Sequence, residues 1–218
     1  MRRSRQPKIY GWVPPLTCMG FRIVGLLGSP LPHGNTAKLL DAALRGASDA
    51  GCEVEKIVVA NLTFRSCREI FYCREHETCA MKDDMTAIYE KFRELDSLIV
   101  ATPVMTMGIP GALKSFMDRF QVFFMAKYIR KRSLVPKGRR AHRRGLYLGI
   151  SGMKVANVFD GAKMTMKAFF SIIDVEYWDD LLIPDMDTIQ DLTTRPDLLE
   201  SAYQKGYEMG RLLIEGSA

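Results

Sequence analysis

Apolar residues along this chain fall into short runs that alternate with longer segments of helical period. Residues 21–28 (FRIVGLLG) form an apolar run closed by glycine, the pattern of a strand buried on both faces. From Thr36 to about Ala50, Leu39, Leu40, Ala43, Leu44 and Ala47 share one side of a helix, and Gly51 closes it. Residues 53–62 predict a second strand carrying Val54, Ile57, Val58 and Val59. A loop-like stretch with three cysteines follows, and Asp83 and Asp84 suit the cap of a helix through Ile88, Phe92 and Leu95. Residues 97–102 (SLIVAT) predict the third strand, ended by Pro103, and residues 110–124 a helix with proline in its first turn. Residues 145–151 (GLYLGIS) and 175–183 predict strands four and five, with a helix over 161–173 between them. The last helix runs over 196–214, burying Leu198, Leu199, Ala202, Tyr203, Met209, Leu212 and Leu213.

Strands alternating with helices predict an α/β fold, an open parallel sheet covered on both faces. Five strands suggest the doubly wound, flavodoxin-like order 2-1-3-4-5. No repeat or linker interrupts residues 21–218, so they read as one domain, preceded by a basic extension over residues 1–20 that is expected to be flexible. The longest apolar runs fall short of the ~20 residues that a bilayer-spanning helix requires. Residues 11–19 lack a signal peptide's apolar core, and the five cysteines are odd in number and unevenly spaced. A cytoplasmic protein with reduced thiols is the expectation.

The 218 residues carry 31 Lys and Arg against 25 Asp and Glu, a net charge of +6. Thirteen of the basic residues lie in two acid-free stretches, residues 1–20 and 127–144, so the remainder is acidic. The basic insertion at 127–144 admits three readings: a nucleic-acid patch, attraction for a 2′-phosphate, or a solvated arm or subunit contact. Nucleic acid is not an expected partner.

In such a sheet, ligands bind beyond the carboxyl ends of the strands near the switch in strand order. The loop after strand one, Gly28-Ser29-Pro30-Leu31-Pro32-His33-Gly34-Asn35-Thr36-Ala37, offers glycines, hydroxyls and a helix start, which suit a phosphate. It has neither the Gly-Lys-Ser/Thr of a P-loop nor the G-x-G-x-x-G of a dinucleotide fingerprint. A monophosphate held without metal is one reading, and a plain strand-to-helix turn is the other. After strand three, Pro103-Val104-Met105-Thr106-Met107-Gly108 is uncharged and suits a flat aromatic ring, although methionines there also serve as core or dimer contacts. After strand four, Ser151-Gly152 is small enough for a third approach to the same ligand.

The segments GSPLPHGNTAKLL at 28–40, DDM at 83–85, ATPVMTMGIPGALKSFMDR at 101–119 and NVFDGAKMTMKAFF at 157–170 resemble the NADPH-dependent FMN reductase and iron–sulfur flavoprotein family. The resemblance runs in order over residues 21–214 and implies a flavodoxin-like fold, FMN as cofactor and a homodimer or homotetramer with flavin at the interface. It also implies that Ser29, Asn35, Thr36 and Ala37 hold the FMN phosphate, with Pro30 in the same loop. Residues 103–108 would line the isoalloxazine, and Ser151 and Gly152 would face it. The expected activity is NAD(P)H-dependent electron transfer to a small acceptor: a quinone, a flavin or a redox protein. The competing reading is a non-enzymatic electron carrier, and no catalytic side chain is assigned.

Two positions depart from the family pattern. Met105 stands where an aromatic residue often follows Pro-Val. Ile70 stands where iron–sulfur members carry the second cysteine of the run that here reads Cys67, Ile70, Cys73, Cys79. A [4Fe–4S] cluster ordinarily takes four cysteines. Cys52 or Cys18 as a substitute, and a Cys67, Cys73, His76, Cys79 zinc set, are the alternatives to a remnant loop of free thiols. The remnant loop is the reading adopted, and no metal ligand is assigned.

Overall fold

The structure, a computed structural model, describes residues 20–216. The flexible N-terminal extension expected from the sequence, and Cys18 with it, lie outside the described residues. Strands β1 (Arg22–Leu27), β2 (Glu53–Val58), β3 (Ser97–Pro103), β4 (Arg144–Ile150) and β5 (Glu176–Ile183) form one parallel sheet. Their order is β2-β1-β3-β4-β5, the flavodoxin-like arrangement. Successive residues of a strand point to opposite faces, so the apolar runs of β1, β3 and β4 feed two cores.

Helices α1 (Asn35–Asp49) and α8 (Pro196–Glu215) cover one face. There Leu39, Leu40, Leu44, Met209 and Leu213 pack on Ile23, Leu27, Ile99 and Leu146. Helices α2 (Met85–Glu94), α3 (Gly111–Asp118) and α6 (Asp160–Ile172) cover the other. Its centre is aromatic: Phe120 stands 4.7 Å from Phe92 and 5.1 Å from Phe169, centroid to centroid. Such ring pairs add about 1 kcal/mol each beyond the area they bury.

Three expectations are corrected. β2 stops at Val58, and residues 59–61 coil into a 3-10 turn that tucks Val59 into the core. The helix expected over 110–124 breaks after Asp118, where Arg119 N–H and Phe120 N–H reach back three residues to Phe116 O and Met117 O. The chain resumes as α4 (Gln121–Phe124) and a π-helical turn, Met125–Ile129. With this tightening, Arg119 and Phe120 are both buried. Third, Asp84 occupies the N-cap position of α2 but does not cap it, because its carboxylate accepts from Thr63 N–H at 2.7 Å. The single-turn helices α5 (Lys137–Arg140) and α7 (Met186–Ile189) were not expected, being too short for periodicity to show.

The basic insertion packs against the body. Lys127 pairs with Asp174, Arg139 with Asp96, and Arg130 donates to Cys73 O and Arg74 O. Arg143 is fully buried, donating to Ile173 O and Phe92 O. Of the nine cations, Lys131 and Lys137 alone make no ion pair or hydrogen bond among the described residues.

Candidate cofactor-binding site

Three loops meet the carboxyl ends of β1, β3 and β4. After β1, Gly28 N–H donates to Ala101 O, and the chain turns through Ser29, whose Oγ accepts from Leu31 N–H at 3.1 Å. No side chain caps α1. Ala37 N–H and Lys38 N–H return to Gly34 O, while the N–H groups of Asn35 and Thr36 donate to nothing among the described residues. An open helix N-terminus of this kind concentrates positive potential where an anion sits. Thr36 and Ala37 are buried, and Pro30 is exposed at the rim. Asn35 is placed differently from a free phosphate donor: its Nδ2 donates to Gln190 O at 2.6 Å and its Oδ1 accepts from Leu192 N–H at 3.1 Å. Its amide ties the loop to the segment before α8, and Lys38 adds an ion pair to Asp191.

After β3, Val104 N–H is fixed to Ile150 O at 2.7 Å. Met105 and Gly108 then exchange both backbone hydrogen bonds, closing a tight turn whose central residues are left-handed, Thr106 at φ 49° and Met107 at φ 60°. Turns of this geometry favour Asn-Gly, and a β-branched residue in that region is an outlier. The strain is held in place by the neighbouring α6, where a Cβ on Gly161 would lie 2.4 Å from Met107 O. Met105 and Met107 remain about half exposed, and the N–H groups of Thr106 and Met107 are unpaired among the described residues. Backbone strain persists where a site over-determines it.

After β4, Ser151 N–H donates to Ile183 O, while Met186 N–H and Asp187 N–H donate to Ser151 O and Gly152 O. A Cβ on Gly152 would meet Asp187 Oδ1 at 2.5 Å, so a larger residue here would have to turn the exposed Asp187 carboxylate aside. The structure therefore brings the residues singled out in the three loops to one end of the sheet. Sequence reasoning missed Gly161, Asp187 and Val155, and it gave no role to Leu31 and Met153 within the candidate loops; Leu31, Met153 and Val155 are each at least half exposed at the same end. Apolar residues inside loops were the available signal.

The cysteine stretch lies beside α2 and α4. Cys67, Cys73 and Cys79 are half-buried and free, and all three line one cavity. The carboxyl group of Asp83 meets Arg119 from two sides, at 2.6 and 3.0 Å, and Arg119 Nη2 also reaches Cys79 Sγ at 3.7 Å. Burial opposes ionisation of Asp83, but the hydrogen bonds and charge of Arg119 prevail and hold it below the ordinary carboxylate range.

A family model described as NADPH-dependent FMN reductase matches residues 21–154, well over half of the chain. The chain belongs to that family. An iron–sulfur flavoprotein of Methanosarcina thermophila is 38% identical over 98 residues, which is 45% of this chain and 51% of the relative. One from Archaeoglobus fulgidus is 32% identical over 128 residues, covering 59% and 52%. The chain thus spans about half the length of the curated relatives it matches. Among solved structures, an NAD(P)H:quinone oxidoreductase from Methanothermobacter marburgensis superposes with a TM-score of 0.62 at 19% identity, covering 87% of this chain and 99% of that one. An FMN-dependent NADH-azoreductase from Bacillus anthracis, in complex with FMN, gives 0.64 at 17%, covering 88% and 99%. At such identities the likeness is one of fold. No described helix is long and apolar enough to cross a membrane.

The reductase family implies FMN, and the described residues fit it on two counts. An open helix N-terminus suits the phosphate, and an uncharged turn with free N–H groups and exposed methionines suits a flat ring with a polar edge.

Proposed function

We propose that this FMN reductase family member is an oxidoreductase that takes reducing equivalents from NAD(P)H and passes them to a small acceptor: a quinone, a flavin or a redox protein. Bound FMN would supply hydride acceptance and electron release, leaving the protein to bind, orient and shield. The N–H groups of Asn35 and Thr36, with the Ser29 and Thr36 hydroxyls, would hold the phosphate, and Ala37 keeps the helix entrance small. Asn35 would act by bracing that entrance against residues 190–192. Pro103 and Val104 would fix the strand end, so that Met105, Thr106, Met107 and Gly108 present methionine to the ring and backbone N–H to its edge. Ser151 and Gly152 would close the third side.

The observation that carries this reading is the strained, uncharged turn at 105–108, set at the same sheet end as an uncapped helix N-terminus. Exposed Leu31, Met153 and Val155 around that end support a second subunit covering the flavin in a homodimer or homotetramer. The test is anaerobic addition of NADH or NADPH to FMN-loaded protein, followed by steady-state turnover with a quinone or free FMN. Bleaching with sustained turnover supports the reading. Bleaching without turnover would mark an electron carrier, and no bleaching with either nucleotide would refute the NAD(P)H assignment.

A further inference from the structure

The cysteine loop gathers no metal-holding set among the described residues. Cys52 is buried on the opposite face of the sheet, its Sγ directed at Gly210 O under α8. The His76 ring stacks on Tyr72 at 3.7 Å with Nδ1 against Tyr72 O. An open cleft at the root of the same loop has a different chemistry. It measures about 590 Å³ and lies between residues 63–68 and residues 81–83. It shares no lining residue with loops 28–37, 103–108 and 151–152.

The main chain around the cleft is fixed. Thr63 N–H donates to Asp84 Oδ2 at 2.7 Å, Asp84 N–H to Thr63 O at 3.4 Å, and Arg65 N–H to Asp83 Oδ2 at 3.4 Å. From the buried side, Arg119 Nη1 donates to Arg65 O at 2.7 Å. Ser66 Oγ meets Ser115 Oγ at 3.0 Å and ties the segment to α3. Phe64 packs edge-on against Phe116, with 6.1 Å between ring centroids.

This frame leaves three cations unspent. Arg65, Arg68 and Lys82 all line the cleft and are exposed, and their side chains make no ion pair or hydrogen bond among the described residues. The acids beside them are committed. Asp83 gives both oxygens to Arg119, and Asp84 accepts from Thr63 N–H. Glu69 lines the adjoining cavities but not this one. The basic insertion, by contrast, spends most of its cations on Asp174, Asp96 and backbone carbonyls.

Three like charges around one cleft repel one another, and a dianion that enters relieves the repulsion. Guanidinium groups present paired N–H donors that match two oxygens of a phosphate, and lysine adds a compact charge. The Thr63 hydroxyl, without a partner among the described residues, is a further donor at the same cleft. A bare phosphate would leave most of the space empty. Phe64 and Met81 supply an apolar wall for a flat ring attached to it.

We propose that this cleft binds a phosphate monoester carried on a flat aromatic base, of the nucleoside monophosphate class. Arg65, Arg68 and Lys82 take the phosphate, and Phe64 and Met81 lie against the base. The site is separate from the loops assigned to FMN and stands whether or not they hold flavin.

The test is calorimetric titration of the full chain with adenosine 5′-monophosphate, after saturation with FMN to occupy loop 28–37. Binding at one site per chain is expected, competed by inorganic phosphate and not reproduced by adenosine. Arg65→Gln and Arg68→Gln should each weaken AMP about tenfold or more, with FMN titrating as in the unsubstituted chain. Lys137→Gln, which removes an unpaired cation outside the cleft, should change neither. Gly161→Ala should weaken FMN and leave AMP alone, so failure of one site is distinguished from failure of the other. Displacement of AMP by NADPH would trace the phosphate to the co-substrate, an arm that rests on the proposed NAD(P)H dependence. AMP that NADPH leaves in place would trace it to a free nucleotide, and both results support the site. Absence of AMP binding, adenosine binding as tight as that of AMP, or an AMP affinity unaltered in both R65Q and R68Q would overturn the proposal.

Discussion

Asp83 accepts from both terminal nitrogens of Arg119, and Arg119 also donates to Arg65 O, so one buried guanidinium joins the cysteine loop to the start of α2 and the end of α3. Breaking a buried pair strands the remaining charge. Asp83→Ala is therefore expected to cost about 3 to 5 kcal/mol in denaturant unfolding. The folded chain keeps Asp83 ionised at pH values where the unfolded chain would protonate it. Its contribution is complete above about pH 4 and disappears as pH falls through its lowered folded value, a dependence that D83A should lack. Gly161 is the other decisive residue. A methyl group there would press on Met107 O at 2.4 Å, and Gly161→Ala is expected to weaken FMN binding about tenfold, some 1.4 kcal/mol, with little change in the far-UV spectrum. Neither role was legible in the sequence. Adjacent aspartates before a helix look like caps, and Asp83 does accept from Met85 N–H at the start of α2, but the guanidinium that it also holds lies 36 residues away.

Helix α1 crosses α8 through small residues. A Cβ on Gly206 would meet Ala43 O at 1.9 Å, and one on Gly46 would meet Tyr203 O at 2.0 Å. Backbone cannot yield as a flexible side chain does, so Gly206→Ala should destabilise by about 3 kcal/mol, read as a lowered melting temperature with the flavin loops unchanged. The existence of these long helices, and of the buried strands, was legible because burial on one or both faces writes its period directly into the sequence. The break after Asp118 was not. Phe116, Phe120, Phe123 and Phe124 keep a helical period across it, and only the inward turn of Arg119, which periodicity does not register, shows where the helix tightens.

At the scale of the whole molecule, the charge and the loops separate cleanly. The net charge of +6 owes much to residues 127–144, whose cations are largely engaged with Asp174, Asp96 and backbone carbonyls of the body. The loop from Gly28 to Ala37 holds no Lys or Arg and leaves its helix N–H groups open. That loops 28–37, 103–108 and 151–152 share one end of the sheet followed from strand order alone. What each presents did not, because the left-handed turn at Thr106 and Met107 and the commitment of Asn35 to residues 190–192 depend on distant neighbours. The central claim is that these loops hold one FMN. Spectroscopic titration of the full chain with FMN measures it most directly: saturable binding at one flavin per chain, displaced by inorganic phosphate at high concentration and weakened in G161A, is the predicted result. A chain that stays colourless and leaves FMN fluorescence unaltered would contradict it.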